Sequence, residues 1–191
     1  MDERVHTSGE ALPSSISDPG LELLFSARQI QDRVAAMGAA ISRDFAGQSL
    51  LLCGVLKGSA IFLADLIRTL SIQCTYDFVA AESYGSGTRS SGSVHLTRTL
   101  EQSIAGRNVL VVEDILDSGT TFAHVRDALL LQQPARVALA ALLDKPSRRR
   151  VPVTADYVGF TIPDRFVVGY GMDFAEQYRQ LPAIHLLPET I

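Results

Sequence analysis

Short apolar segments that alternate with amphipathic ones constrain the fold of this sequence more than any other feature. Residues 50–55, 109–112 and 137–143 are almost continuously apolar, as in strands that are buried on both faces of a sheet. Residues 26–45 and 61–70 instead carry apolar side chains every three or four positions, which indicates amphipathic helices. This alternation predicts an α/β fold with a mostly parallel sheet flanked by helices.

The two ends of the chain differ from its middle. Residues 1–20 are rich in Ser, Pro, Gly and acids, so we expect a flexible tail there. The remainder, residues 21–191, has the length of one domain. From about residue 145 onward the pattern changes to short strand-like pieces, which we expect to form a small hood beside the sheet. These pieces are residues 157–162, 166–168 and 184–187.

Residues 83–93 (SYGSGTRSSGS) form an internal segment made of Gly, Ser and Thr with one Tyr and one Arg. Such a segment can be a flexible hairpin connection between two strands, here predicted over residues 74–80 and 94–100. It can also be a lid that closes over a site and excludes water. Position alone favours the hairpin connection.

Charge and cysteine content exclude several classes of protein. The formal net charge is -4, from 17 Lys and Arg against 21 Asp and Glu, which argues against a general nucleic-acid binder. Cys53 and Cys74 lie in apolar runs and form no C-x-x-C pair, so we expect buried thiols in a reducing compartment. The first twenty residues lack the apolar core of a signal peptide, and no apolar run approaches the ~18 residues of a membrane span. We therefore expect a cytoplasmic protein with no membrane partner.

The richest local pattern is residues 109–121, VLVVEDILDSGTT, which run from a buried strand through a tight loop into a helix. Ligands of open α/β sheets bind at the carboxyl ends of the strands, where these polar residues fall. Gly119 permits close backbone approach, and Ser118, Thr120 and Thr121 add hydroxyl donors beside the first helical amides. The loop suits a phosphate monoester. It matches neither the P-loop nor the dinucleotide-binding pattern.

The acidic residues of this segment suit other tasks. Glu113 and Asp114 can accept hydrogen bonds from a vicinal diol or help to hold Mg²⁺, which prefers oxygen ligands. Asp117 can exchange a proton with a ring nitrogen of a bound ligand. The alternative is an acidic turn that caps a helix, which would suit an isolated D-S-G-T better than this whole pattern at the end of a buried strand.

These residues resemble a known family. Residues 109–121 are similar to the phosphoribosyl-pyrophosphate (PRPP) signature of type I phosphoribosyltransferases. Three further motifs narrow the resemblance to the hypoxanthine-guanine phosphoribosyltransferase family: residues 56–59 (LKGS), 144–146 (DKP) and 158–174 with Tyr178 and Arg179 behind them. The resemblance spans about residues 26–187 and implies the type I phosphoribosyltransferase fold.

The resemblance also implies a reaction. A purine-salvage enzyme of this kind transfers the 5-phosphoribosyl group of PRPP to hypoxanthine or guanine with Mg²⁺ as cofactor, and gives IMP or GMP and pyrophosphate. Asp117 would be the general base at the purine N7. The family further suggests a homodimer or a homotetramer. No nucleic acid is implied as a partner.

The remaining roles implied by the resemblance fall into groups that contact one part of the substrates each. The 5'-phosphate group would be bound by Asp117, Ser118, Gly119, Thr120 and Thr121, and the ribose by Glu113 and Asp114. The pyrophosphate would be bound by Lys57, Gly58 and Arg179, and the purine by Lys145, Phe166 and Val167. Glu113, Asp114 and Asp173 would serve the metal, and Ser83 and Tyr84 would begin a lid.

Other interpretations of these residues exist. Arg179 suits an exposed cation, Phe166 a plain core aromatic and Asp173 a turn acid. Residues 148–150 form an arginine cluster that we interpret as a solvated surface or subunit contact rather than an RNA site. For the whole chain the alternatives are a non-catalytic, nucleotide-sensing RNA binder on the same fold and a phosphoacceptor receiver domain. The net charge disfavours the first, and the long regular chain before residue 109 disfavours the second.

Overall fold

The computed structural model describes residues 20–83 and 94–188, which form two sheets and three α-helices. The strands are β1 (Glu22–Phe25), β2 (Leu50–Leu56), β3 (Cys74–Ser83), β4 (Val94–Arg98), β5 (Asn108–Leu116), β6 (Arg136–Asp144), β7 (Tyr157–Thr161), β8 (Val167–Val168) and β9 (Ile184–Leu186). The helices are α1 (Ala27–Asp44), α2 (Ser59–Ile67) and α3 (Thr120–Leu130), with a short 3-10 helix over Pro146–Arg148.

The main sheet confirms the predicted fold class. Its six strands lie in the order β4-β3-β2-β5-β6-β7, and every pair is parallel except β3 with β4. The antiparallel β3–β4 pair agrees with a hairpin, although residues 84–93 between the strands lie outside the described part of the chain. The predicted tail, residues 1–20, also lies outside it apart from Gly20.

Two apolar cores cover the two faces of this sheet, which explains why the strand sequences are continuously apolar. Alternate strand residues point to opposite faces: Leu110 packs with α1 and α2, whereas Val111 packs with α3. Helix α1 begins with a capping box, in which the Ser26 hydroxyl accepts a hydrogen bond from the Gln29 backbone and the Gln29 side chain accepts one from the Ser26 backbone.

The smaller sheet differs from the expected hood in its membership. It has the order β1-β9-β8 and is antiparallel, so a strand from near the start of the described chain forms one of its edges. The placement of residues 157–162 in the hood is wrong, because β7 pairs in parallel with β6 as the edge of the main sheet. Strands of two to five residues carry too little periodicity for the sequence to show which sheet they join.

Two further features bear on the sequence-based expectations. Cys53 is buried as expected. Cys74 is only partly buried, because it is the first residue of β3, the strand next to the edge strand β4. Within residues 20–83 and 94–188, no helix combines the length and the hydropathy that crossing a membrane would need.

The buried face of β5 generates a stability prediction. Leu110 is fully buried on this central strand, so Leu110→Ala should lower the free energy of unfolding by about 2–5 kcal/mol through lost burial and a cavity. Leu131 is 85% exposed, and the matched Leu131→Ala should change stability by less than about 0.5 kcal/mol. Urea unfolding of both variants measures the difference. Equal losses would contradict the described core.

Candidate active site

A cavity of about 580 Å³ lies at the carboxyl ends of β2, β5 and β6, with β8 of the small sheet on its other side. This is the edge at which open α/β sheets bind ligands. Most residues that the sequence singled out line this one cavity. They are Lys57, Gly58, Glu113, Asp114, Asp117, Thr121, Lys145, Phe166, Val167, Asp173 and Arg179.

The loop between β5 and α3 has the form of an anion-binding turn. Gly119 has φ 81°, in the left-handed region, and precedes the first residue of α3. A Cβ at this position would lie 3.3 Å from the Val151 carbonyl oxygen, so both the backbone angle and the space favour glycine. The Ser118 hydroxyl accepts a hydrogen bond from the Thr120 amide at 3.3 Å and lies 3.1 Å from the Thr120 hydroxyl. Hydroxyls and helix N-terminal amides thus converge at one point.

Two adjacent acids lie at the end of β5, and burial raises the pKa of both. Glu113 is only 4% exposed, and its Oε1 has no hydrogen-bond partner among the described residues. Burial, with Asp114 adding to it, raises the pKa of Glu113 to about 8. The Asp114 carboxylate lies against the backbone of Gly58, where any Cβ would meet Asp114 Oδ2 at 1.8 Å. Only glycine at position 58 therefore lets this carboxylate approach the loop after β2.

Two cations, Lys57 and Arg179, also line the cavity, and both are paired. Lys57 Nζ lies 3.3 Å from both carboxylate oxygens of Glu176. Arg179 Nη2 lies 2.7 Å from Asp173 Oδ1 and 3.3 Å from Glu176 Oε2, and its Nη1 donates to the Gly171 carbonyl at 2.8 Å. Arg179 is thus held in the cavity wall and is not the freely exposed cation of the alternative interpretation.

Lys145 and Asp117 lie side by side because their strands are in register. Leu116 pairs with Asp144, and the Lys145 amide donates to the Leu116 carbonyl at 3.0 Å. The Lys145 side chain is buried, and burial lowers its pKa, while the Asp117 and Asp164 carboxylates oppose that shift. The site therefore holds an amine donor next to a carboxylate acceptor.

Phe166 and Val167 form the apolar wall of this end. Val167 is buried on β8, whereas Phe166 is 53% exposed and meets Phe174 edge to face, with ring centroids 5.6 Å apart. The exposed ring face does not fit the interpretation of Phe166 as a plain core aromatic.

The interpretation of the arginine cluster as solvated surface is wrong for Arg149, whose side chain is only 16% exposed, whereas Arg148 is 48% exposed as expected. Arg148 bridges Asp117 Oδ1 at 3.2 Å and Asp164 Oδ2 at 3.3 Å. Arg149 donates to the Leu116 carbonyl at 2.9 Å and also binds the Asp117 carbonyl and the Asp144 carboxylate. Arg148 and Arg149 follow Lys145 closely in the sequence, and this was the available signal that they belong to the site. The sequence does not show that the 3-10 helix over Pro146–Arg148 folds back onto β5.

Two other expectations concern the lid and the metal site. Ser83 ends β3 and Tyr84 lies outside the described residues, so the lid stays a prediction. Within residues 20–83 and 94–188, no three His, Cys, Asp or Glu side chains group as a metal site. The unpartnered Glu113 oxygen and the Asp114 carboxylate still fit Mg²⁺, which proteins commonly hold through one or two carboxylates together with substrate oxygens.

Comparisons with known proteins agree with this geometry. The sequence model of the family described as "Phosphoribosyl transferase domain" matches residues 22–175. Hypoxanthine phosphoribosyltransferase of Escherichia coli K12 is 44% identical over 166 residues, which cover 86% of this chain and 93% of that protein. Hypoxanthine-guanine phosphoribosyltransferase of Streptococcus pneumoniae is 43% identical over 170 residues, or 89% and 94% of the two chains. The crystal structure of a hypoxanthine phosphoribosyltransferase from Staphylococcus aureus superimposes with a TM-score of 0.88 at 40% identity, and covers 93% of this chain and 97% of that one.

The buried carboxyl group of Glu113 generates a pH prediction. Between pH 4.5 and about 8 the folded chain retains a proton on Glu113 that the unfolded chain has lost, so stability falls as pH rises through this window. The slope contributed by this one group is at most about 1.4 kcal/mol per pH unit. Glu113→Gln cannot ionise, so its stability should fall less steeply than that of the wild type.

Urea unfolding of both proteins in metal-free buffer, at several pH values across this window, measures the two slopes. Because Glu113 and Asp114 interact, the difference between the two slopes measures the loss of the Glu113 titration together with its effect on Asp114. Parallel pH profiles would show that Glu113 is ionised in the folded chain.

Proposed function

The chain belongs to the phosphoribosyl transferase domain family, and we propose that it is a purine-salvage enzyme that transfers the 5-phosphoribosyl group of PRPP to hypoxanthine or guanine. The products are IMP or GMP and pyrophosphate. The observation that carries the proposal is that one cavity brings together Asp117 and Thr121 of the anion-binding loop, the acidic pair, Lys145 and the paired cations. Residues 21–191 form the one domain that performs this reaction.

The loop after β5 binds the 5'-phosphate of PRPP. The backbone amides and hydroxyls from Ser118 to Thr121 donate to its oxygens, and the N-terminus of α3 adds a favourable dipole. Asp117, at the start of the loop, completes this set through its backbone. No lysine is required, which agrees with an acidic chain acting on a polyanion.

The ribose and the metal lie above the end of β5. Glu113 and Asp114 accept hydrogen bonds from the ribose diol, and both would hold Mg²⁺ as carboxylates, because a nearby cation favours the ionised form of Glu113; Asp173 would act through water. When bound, Mg²⁺ supplies positive charge that stabilises the departing pyrophosphate. Lys57, the Gly58 backbone and Arg179 bind that pyrophosphate, so the developing negative charge meets preorganised donors.

The purine lies between Lys145 and Phe166. Lys145 donates to the purine O6, and because an ammonium group has donors only, it favours a 6-oxo group over the amino group of adenine. Phe166 offers its exposed face for stacking, and the Val167 backbone meets the 2-position of the ring. Asp117 takes the proton from N7 as the bond to the ribose forms.

Two parts of the proposal concern the surroundings of the site. Ser83 and Tyr84 begin a lid that excludes water while the sugar carries oxocarbenium character. The active form is a homodimer or a homotetramer in the cytoplasm, as among the enzymes that the sequence resembles.

Asp117→Asn tests the general base. The amide keeps the size of the side chain but cannot accept the N7 proton, so kcat should fall by about 10²- to 10⁴-fold. The assay follows absorbance as PRPP and Mg²⁺ are incubated with hypoxanthine, guanine or xanthine in turn. Circular dichroism and the unfolding midpoint control for the fold. A folded variant with near-normal turnover would refute this assignment, and a wild type that forms no nucleotide would refute the function.

Lys145→Ala tests base recognition. Loss of the donor to O6 should lower kcat/KM for hypoxanthine by about 10- to 10²-fold, the cost of a hydrogen bond from a charged group. The value for adenine should change little, so the preference for the 6-oxopurine should narrow. Lys145→Arg retains the charge and should keep part of the preference. If the ratio of kcat/KM for hypoxanthine to that for adenine is unchanged in the alanine variant, Lys145 does not recognise O6.

A further inference from the structure

One exposed carboxylate, that of Glu176, ties together the two cations at the pyrophosphate end of the cavity. Both of its oxygens lie 3.3 Å from Lys57 Nζ, and Oε2 also lies 3.3 Å from Arg179 Nη2. The contact with Lys57 joins residues that are 119 positions apart, and Arg179 lies three positions after Glu176; Lys57 and Arg179 both line the cavity. The carboxylate thus places a delocalised anion between the two donors that would receive the pyrophosphate of PRPP.

The backbone around Glu176 is shaped to present this carboxylate. Ala175 and Glu176 have φ values of 51° and 63°, in the left-handed region that non-glycine residues seldom adopt. The Glu176 amide donates to Asp173 Oδ2 at 2.9 Å, which closes the turn. Hydrogen bonds from Lys57 and then Arg179 lower the pKa of Glu176, so the carboxylate is charged at neutral pH. The turn thus has an uncommon backbone conformation and is held by a specific hydrogen bond, and it ends at a carboxylate that contacts two cations. This combination favours a functional role for Glu176.

The contacts of Glu176 with Lys57 and Arg179 are weak enough for an incoming ligand to displace this carboxylate. Lys57 and Glu176 are 68% and 66% exposed at their side chains, so water competes for both groups. The Arg179–Asp173 pair is shorter, at 2.7 Å, and less exposed. Glu176 can therefore leave Lys57 and Arg179 at little cost, whereas Asp173 continues to orient Arg179.

We propose that Glu176 is an internal competitor of pyrophosphate, which occupies Lys57 and Arg179 in the free enzyme and must leave them before PRPP binds. The inference rests on the proposed function, because it takes these two cations as the pyrophosphate site. The cost of breaking the contacts lowers the affinity of the enzyme for PRPP and for the product pyrophosphate alike. Glu176 therefore raises KM for PRPP and the Kd for pyrophosphate.

Glu176→Gln removes the charge and keeps the size of the side chain. The KM for PRPP and the Kd for inorganic pyrophosphate with Mg²⁺ should each fall by about two- to fivefold, the range that exposed ion pairs support. Initial rates measure the first constant and titration calorimetry the second. The effect should shrink as ionic strength rises, because salt screens exposed pairs. The change should fall on KM rather than kcat, since the contacts are already broken once PRPP is bound.

Glu101→Gln is the matched control. Glu101 is also exposed and pairs with an arginine, Arg98, at 3.2 Å, but it lies away from the cavity. Removal of this charge should leave both constants unchanged. A rise in KM and Kd for Glu176→Gln would show that Glu176 positions the cations for binding, and unchanged constants would show no competition; either result overturns the inference. Failure of the proposed function is a separate result, namely a wild type that forms no IMP or GMP.

Discussion

The parallel pairing of β5 with β2 on one side and β6 on the other is the constraint on which the site depends. Gly54 pairs with Val112, and Leu116 pairs with Asp144. Because the three strands run in the same direction, the loops that follow them open at one edge of the sheet. Lys57, Asp117 and Lys145 therefore meet in one cavity although the chain separates them widely. The two apolar cores that cover the sheet hold this register, since a slip of one residue would exchange the faces of every side chain.

Within this frame, the cations of the site are held by carboxylates of the same chain. Arg148 is bound by Asp117 and Asp164, Arg179 by Asp173, and Lys57 by Glu176. A net charge of -4 is thus compatible with a polyanionic substrate, because the attraction is local and directional. Under the proposed competition, binding would exchange Glu176 for pyrophosphate at Lys57 and Arg179, whereas Asp173 would keep its contact with Arg179. The net charge argues only against nonspecific electrostatic binding.

The sequence predicted the sheet and the phosphate loop well because both have local signatures. Continuous apolar runs mark strands covered on both faces, and Gly119 with its flanking hydroxyls marks a tight turn before a helix. The contacts of Arg148, Arg149 and Glu176 depend on how distant segments meet, and no local pattern reports that. Strand β1 was not predicted, and residues 157–162 were predicted as a strand but assigned to the wrong sheet, for a related reason: the sheet to which a strand of four or five residues belongs is set by its partner and not by its periodicity.

Glu113 shows how the site departs from the rules that stabilise the rest of the molecule. A buried carboxyl oxygen without a partner is costly, and the neighbouring Asp114 makes ionisation costlier still. The fold offers one compensation: Arg149, which ties the ends of β5 and β6 together, also opposes the rise in the pKa of Glu113. A group that served only stability would be apolar at this position on a strand whose neighbours Val111 and Val112 are fully buried. An acid at this position is explained by the proposed contact with a bound diol or divalent cation. Either partner would supply the hydrogen bond or positive charge that Glu113 Oε1 lacks among the described residues.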